Sequence, residues 1–190
     1  MNLFSRSAIL DALIMADKEK ISLIEAMLFV SGEPIMLAAL KSVMDIPLPD
    51  IKQAIDELIA EYQERDRGII IMEVAQGYQM VTNPLYAKLL RKFTNTAASN
   101  KLSMPALETL AIVAYKQPLI KAEVEQIRGV NSDGVIKSLL DKRLIKIVGQ
   151  REAPGKPMLY GTTKEFLQYF GLKDLTELPT LRELTREEAA

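Results

Sequence analysis

The stretch that decides the fold is Leu107–Phe170, which reads LETLAIVAYKQPLIKAEVEQIRGVNSDGVIKSLLDKRLIKIVGQREAPGKPMLYGTTKEFLQYF. Its apolar spacing predicts three short helices, a strand, a loop rich in Gly and Pro, a second strand and a closing helix. This order of elements is typical of a winged helix, a helix-turn-helix followed by a strand hairpin. The sequence therefore predicts an α+β fold that is mainly α with small β-hairpins.

An earlier stretch, Ile24–Leu90, has the same predicted order of elements. Helix-rich chains can align by chance at apolar positions, but the matched Pro, Thr and aromatic positions are less generic. Such self-similarity is typical of a duplicated folding unit, so we predict tandem winged-helix domains. The matched pairs are Glu25 with Glu108, Pro34 with Pro118, Ala38 with Ala122, Leu40 with Val124, Val43 with Ile127, Thr82 with Thr162, and Tyr86 with Phe166.

The predicted domain boundaries follow from shifts in composition along the chain. Small and polar residues, TNTAASNK, separate the two repeats and are typical of a linker. The end of the chain is acidic and should fray. We predict an N-terminal amphipathic segment (1–16), a first winged helix (17–93), a linker (94–102), a second winged helix (103–171) and a flexible acidic tail (172–190).

Local signals place the elements of both domains. In the first, Pro49 begins a third helix that runs to Arg65, and Gln76-Gly77 marks the turn of the hairpin. In the second, Ser103 should cap the first helix and Thr162 with Glu165 should form a capping box for the last. The third helix is predicted over Asn131–Arg143. The residues expected to face the core from the first helix are Leu107, Leu110, Ala111 and Ala114.

Composition excludes several classes of function. The chain of 190 residues has no Cys and no His, which removes disulfides, thiolate catalysis and imidazole chemistry. No apolar run reaches the roughly 20 residues of a membrane span. Gly155-Lys156-Pro157 lacks the spacing of a phosphate loop, and adjacent carboxylates such as Asp56 and Glu57 do not converge on one site. We expect no catalytic residues, no cofactor and no metal.

Winged helices usually bind DNA, but the charges of these two domains argue against that function. The first domain's third helix, Pro49–Arg65, has five acidic and two basic residues, a net charge of −3 that disfavours a phosphate backbone. The second domain, residues 103–170, has ten basic and seven acidic residues, or +3. A DNA-binding transcriptional regulator that uses this domain stays open as an alternative. Its weak contacts would be Lys137, Lys142, Lys146, Arg151 and Lys156.

Several motifs resemble one family, the segregation and condensation protein B family. They are residues 107–131, then SDGVIKSLL, GKPMLYGTT and FLQYFGL, with SGEPI at 31–35 and GYQMVTNP at 77–84. The resemblance covers roughly residues 19–179. Lys156 departs from the Arg expected in the family's GRPxLY pattern and lacks the bidentate fork of Arg. The N-terminal extension also precedes the usual start.

The resemblance implies a non-enzymatic homodimer that binds the central part of a kleisin and, through it, an SMC ATPase. Its implied role is to support chromosome condensation and segregation in the cytoplasm, at the nucleoid. It would contact DNA at most weakly or through the assembled complex, and it would not contact a membrane.

Two sets of residues are the predicted interfaces. Surplus apolar residues of the N-terminal segment and the first domain should form the dimer contact: Ile9, Leu13, Ile14, Met27, Phe29 and Val30. Aromatic residues and Arg of the second domain should bind the kleisin: Tyr115, Arg128, Arg143, Tyr160, Tyr169 and Phe170. Tyr160 and Phe170 could equally be core residues, because alternation along Met158-Leu159-Tyr160 leaves the buried face of the strand ambiguous.

Overall fold

The structure is a computed structural model that describes residues 17–64, 67–94 and 102–180. The chain divides into two compact units, Met1–Thr96 (unit 1) and Ala97–Ala190 (unit 2). The architecture is mixed α and β, with helices and small antiparallel sheets, as the sequence predicted.

The described residues of unit 1 form three helices, a hairpin and a short closing helix. Its elements are α1 (Asp17–Ser31), α2 (Leu37–Met44), α3 (Leu48–Glu64), β1 (Ile69–Val74), β2 (Gly77–Thr82), a 3₁₀ turn (Pro84–Tyr86) and α4 (Ala87–Phe93). Ile24 and Leu28 of α1 pack with Ile51, Ile55 and Leu58 of α3 in one buried cluster. Their spacing of three and four residues puts these side chains on one helical face, which is why the helices pair.

The hairpin of unit 1 turns one residue earlier than predicted. Ala75 and Gln76 form the turn with φ of 50° and 64°, and Gly77 already belongs to β2, where it pairs with Val74. Positive φ at both central residues matches the twist of a two-residue hairpin. The glycine is required elsewhere, because a Cβ on Gly77 would lie 2.9 Å from the backbone of Ile35.

Unit 2 has the same order with one added strand. Its elements are α5 (Met104–Lys116), β3 (Leu119–Ile120), α6 (Lys121–Arg128), α7 (Asp133–Asp141), β4 (Ile145–Gln150), β5 (Met158–Thr162) and α8 (Lys164–Phe170). The strand β3 was not predicted; it pairs with β5 and completes a sheet of order β3-β5-β4. The corresponding contact in unit 1 is a single bridge between Ile35 and Tyr78.

The helix α7 is shorter than the predicted range 131–143. It ends because Arg143 adopts a left-handed conformation with φ of 57°. The amide of Arg143 then donates to Leu140 O and that of Leu144 to Leu139 O, the two bonds of a Schellman motif. A non-glycine residue at this position carries no obvious sequence signal.

Two further local predictions for unit 2 were wrong. Ala111 is exposed on α5, whereas Leu110 and Ala114 are buried. The cap of α8 is Thr163, whose hydroxyl accepts from the amide of Phe166 at 3.1 Å, and not Thr162. Thr162 instead bonds Gln117, since its amide donates to Gln117 Oε1 at 2.6 Å.

The first part of the predicted flexible tail is ordered. A Schellman motif at Gly171 ends α8, and residues 175–177 form a 3₁₀ turn capped by Asp174, whose carboxylate accepts from the amide of Thr176 at 2.7 Å. The hydroxyl of Tyr115 donates to Pro179 O at 2.6 Å. The rest of the predicted tail, 181–190, lies outside the described residues.

Candidate protein-binding surfaces

The closing helix of unit 1 has apolar side chains without a core to fill. None of the residues of α4 is buried, although Leu89, Leu90 and Phe93 belong to it. Leu85, Leu89 and Phe93 are four residues apart and therefore lie on one side of the helical segment. Leu85 is 82% exposed and Phe93 85%. We call these three residues the closing-helix surface.

Sequence reasoning missed this surface. The signal is present in NPLYAKLLRKF, where Leu85, Leu89 and Phe93 recur at a helical spacing. Of the predicted dimer residues, Phe29 and Val30 are exposed at the end of α1. Met27 is partly buried against the core of unit 1. Ile9, Leu13 and Ile14 lie outside the described residues.

In unit 2, an apolar groove of ≈ 260 Å³ runs between α5 and α8. Two of the predicted kleisin contacts, Tyr115 and Phe170, line it, and both are partly exposed. Phe170 packs on the buried ring of Phe166 with centroids 5.0 Å apart. We call this feature the aromatic groove, and its lining residues are Leu107, Leu110, Ala111, Ala114, Tyr115, Phe166, Phe170 and Leu178.

Tyr169 extends the aromatic surface beside the groove. Its ring meets that of Phe170 edge-on at 5.0 Å, an arrangement favoured by the quadrupoles of the two rings. Tyr160 is half-buried in β5, opposite Leu119 and Ile147. Arg143 is exposed after α7, and its carbonyl accepts from the hydroxyl of Thr163 at 2.6 Å. The structure therefore groups Tyr115, Tyr169 and Phe170.

Arg128 does not have the exposure expected of it. Its side chain is only 8% exposed, and its guanidinium donates to Glu108 Oε2 at 3.2 Å and to the hydroxyl of Ser132 at 3.1 Å. Ser132 is itself fully buried, and its amide donates to Glu125 Oε1 at 2.9 Å. Arg128 thus ties α5 to the turn before α7, and its placement is that of a structural residue.

Of the predicted phosphate contacts, Arg151 is already engaged. Its guanidinium donates to both carboxylate oxygens of Glu123, at 2.7 and 2.9 Å. This bidentate contact, followed by the amide of Ile120, holds the pKa of Glu123 below its usual value. Lys137, Lys142, Lys146 and Lys156 are exposed, and within the described ranges none of them lies in an ion pair.

The third helix of unit 1 presents carboxylates on its exposed side. Lys52 is held by Asp56 at 2.5 Å, a contact that raises the pKa of the ammonium, and Glu61 pairs with Arg67 at 2.9 Å. Tyr62 donates to Glu25 Oε1 at 2.5 Å, and burial, followed by this bond, raises the pKa of the phenol. Lys52 and Arg67 are thus neutralised by neighbouring acids.

The described residues lack a metal-binding cluster and a membrane-spanning helix. They contain no group of three or more acidic side chains placed to hold a metal ion. No helix among them is both long enough and apolar enough to cross a membrane.

A family model, described as "Segregation and condensation complex subunit ScpB", matches residues 22–181. The chain belongs to the ScpB family. Segregation and condensation protein B of Syntrophotalea carbinolica is 45% identical over 164 residues, which cover 86% of this chain and 83% of the relative. That of Clostridium tetani is 44% identical over 166 residues, covering 87% and 88%. The resemblance to this family found in the sequence motifs is therefore confirmed.

Solved structures of the family are also similar to this chain. ScpB from Mycobacterium tuberculosis is 34% identical, with a TM-score of 0.42 and coverage of 84% of this chain and 99% of the other. A structure described as a dimer of the ScpB N-terminal domain complexed with a ScpA peptide is 26% identical, with a TM-score of 0.39 and coverage of 40% and 95%.

Proposed function

We propose that this ScpB-family chain is a non-catalytic accessory subunit of a bacterial SMC–kleisin complex, built from two winged helices. It forms a homodimer, binds the kleisin and supports chromosome condensation and segregation at the nucleoid. Family membership supports the process, and the order of elements in each unit supports the winged helices. The observation that carries the scaffold role is the closing-helix surface, because exposed apolar side chains at helical spacing are typical of a protein interface.

The homodimer contact is proposed on unit 1, with the closing-helix surface as its centre. A helix of seven residues that buries nothing cannot be stable by its own propensity, since isolated helices need at least about 12 residues. A second copy that covers Leu85, Leu89 and Phe93 would supply the missing burial. Phe29 and Val30 are a second exposed apolar site on the same unit.

Sedimentation velocity of the full chain at micromolar concentration tests the dimer. The parent should sediment as a dimer. Leu89→Asp should shift it to monomer, because a carboxylate would be buried in an apolar contact. Arg91→Asp is the matched control, because Arg91 is exposed on the opposite side of the same helix, and it should leave the dimer intact. A monomeric parent, or equal dissociation by both variants, would remove unit 1 as the dimer site.

The kleisin contact is proposed on the aromatic residues of unit 2, Tyr115, Tyr169 and Phe170. Such residues carry much of the binding energy at interfaces because they bury a large area at low entropic cost. The solved ScpB N-terminal domain with its ScpA peptide makes the equivalent of unit 1 the competing location. The assignment therefore has to be tested against both units.

Titration calorimetry of the full chain with the kleisin of the same organism separates the two locations. Tyr169→Ala should weaken binding by about 1–2 kcal/mol and leave the melting temperature nearly unchanged. Gln168→Ala, the preceding exposed residue of α8, is the matched control and should bind as the parent does. If Tyr169→Ala and Phe170→Ala both bind normally, the kleisin site lies on unit 1.

The alternative, a DNA-binding regulator, is favoured by the exposed lysines of unit 2. Lys137, Lys142, Lys146 and Lys156 could contact phosphates, but non-specific binding of this kind reaches only about 10⁻⁴ to 10⁻⁶ M. We expect duplex binding in that range or weaker, abolished by salt. Nanomolar, sequence-selective binding that is lost when Lys137, Lys142 and Arg143 become Ala would favour the regulator.

A further inference from the structure

Residues 172–180, the C-terminal strap, run from the end of α8 to the aromatic groove. The amide of Leu172 donates to Leu167 O at 2.8 Å, which directs the chain out of α8. The capped 3₁₀ turn at 175–177 then reverses it. Leu178 reaches the groove and forms part of its lining, and Pro179 O accepts from the Tyr115 hydroxyl at 2.6 Å.

Leu178, the strap residue that reaches the groove, has a backbone conformation close to polyproline II. Leu178 has φ of −66° and ψ of 130°, close to the values of that helix. Pro179 follows and disfavours the α conformation at Leu178, so the local sequence alone favours this backbone. A polyproline II ligand loses little conformational entropy on binding because its backbone is already extended in the free state.

The groove has the features that recognise such a ligand. Its lining is apolar and includes three aromatic residues, Tyr115, Phe166 and Phe170. The Tyr115 hydroxyl donates to a ligand carbonyl that has no partner within a polyproline II helix. An aromatic-lined groove with such a donor is the arrangement by which peptide-recognition domains bind proline-rich segments.

We propose that the aromatic groove is a docking site for a polyproline II segment of a partner protein carrying an apolar residue followed by proline. The strap is its internal occupant, and the incoming segment displaces it. None of the nine strap residues is buried, which is typical of a segment that opens at low cost in free energy. The groove keeps ≈ 260 Å³ beside Leu178, so it can admit a side chain larger than leucine.

This inference rests on the proposed function, because Tyr115 and Phe170 also belong to the proposed kleisin contact, and it specifies the chemistry of the ligand. The kleisin titration above uses a protein ligand, whereas the test below uses a peptide of this chain. Failure of one therefore leaves the other result readable.

Fluorescence anisotropy of a labelled heptapeptide with the sequence of residues 174–180, DLTELPT, tests the proposal on the full chain. Leu178→Ser combined with Pro179→Gly opens the strap and should bind the peptide at least about tenfold more tightly than the parent, in which the strap competes. Tyr115→Phe in the opened variant should weaken binding by about three- to tenfold, since it removes one hydrogen bond.

Three controls distinguish specific docking of the peptide from non-specific binding and from unfolding. A peptide with Leu178→Asp should not bind the opened variant, and Gln168→Ala in that variant should change nothing. Circular dichroism melting checks the fold; if the double substitution unfolds unit 2, Pro179→Gly alone is used with the same expectations. Absence of binding to a folded, opened variant, or equal binding by the Leu178→Asp peptide or after Tyr115→Phe, overturns the proposal.

Discussion

The closing helices α4 and α8 occupy corresponding places in the two repeats but are used in different ways. Tyr86 and Phe166 are matched by the internal alignment, yet Tyr86 is exposed and Phe166 is 2% exposed. In unit 2 the closing helix fills its own core with Phe166 and Leu167, whereas α4 buries nothing. Corresponding helices thus complete the core in one unit and leave apolar side chains exposed in the other.

The largest expected difference between the units is at this matched aromatic pair. Phe166→Ala should lower the free energy of unfolding by about 3–5 kcal/mol, because it leaves a cavity in the core of unit 2. Tyr86→Ala should change the free energy of unfolding by about 0.5 kcal/mol or less. Urea denaturation at low protein concentration measures both. Similar losses for the two variants would show that Tyr86, at the start of α4, is as well packed as Phe166.

A smaller difference should appear at the glycines of the second hairpin strands. A Cβ at Gly77 would meet the Ile35 backbone at 2.9 Å, whereas one at Gly161 would meet the side chain of Gln117 at 2.8 Å and Val148 at 3.0 Å. Side chains can move more easily than backbone. Gly77→Ala should therefore lower the free energy of unfolding by about 2–3 kcal/mol, and Gly161→Ala should lower it by about 1 kcal/mol. Thermal unfolding of each variant provides the measurement, and a larger loss at Gly161 would contradict the comparison.

A third comparison concerns one arginine in each unit. Arg67 of unit 1 is partly exposed, lies over the Tyr62 ring at 4.2 Å and pairs with Glu61, whereas Arg128 of unit 2 is buried. Arg128→Ala should cost about 2 kcal/mol because Ser132 loses a partner and the packing of the stem is lost. Arg67→Ala should cost about 0.5–1 kcal/mol. Denaturant titration distinguishes them, and a kleisin-binding loss in Arg128→Ala without a loss of stability would make Arg128 a contact residue.

The smallest effect is the response to pH. The pKa of Glu123 is lowered in the folded protein, so its contribution to the free energy of unfolding is present above the ordinary carboxyl pKa. This contribution is lost as pH falls through the pKa of Glu123 in the folded protein. The raised pKa of Tyr62 has the opposite sign: its contribution is present below the ordinary phenol pKa and is lost as pH rises through the folded value.

Unit 2 should accordingly weaken first in acid and unit 1 first in alkali. Hydrogen exchange across pH reports each unit separately. Glu123→Gln should reduce the loss of stability of unit 2 at acid pH. Tyr62→Phe should reduce the loss of stability of unit 1 at alkaline pH. The effect of Glu123 should be small because the group is solvated. Unchanged profiles in both variants would mean that other groups set the pH dependence.

Short-range patterns in the sequence determined the element order and the family motifs. The spacing of Ile51, Ile55 and Leu58 placed the buried side of α3, and Ser103 marked the cap of α5, where its hydroxyl accepts from the amide of Ala106. These features depend on residues within one or two turns of each other. Periodicity and capping are local properties of the chain, so the sequence alone reveals them.

Only the tertiary structure decided which apolar and charged residues are exposed and which are covered by contacts within their own unit. Arg128 was expected at the surface but meets Glu108, twenty residues earlier, and Thr162 meets Gln117, forty-five residues earlier. The burial of Phe166 against the exposure of Tyr86 depends likewise on what each helix packs against. Burial results from contacts between residues distant in the chain, and a spacing pattern records that a side chain is apolar without recording whether its own unit or a partner covers it.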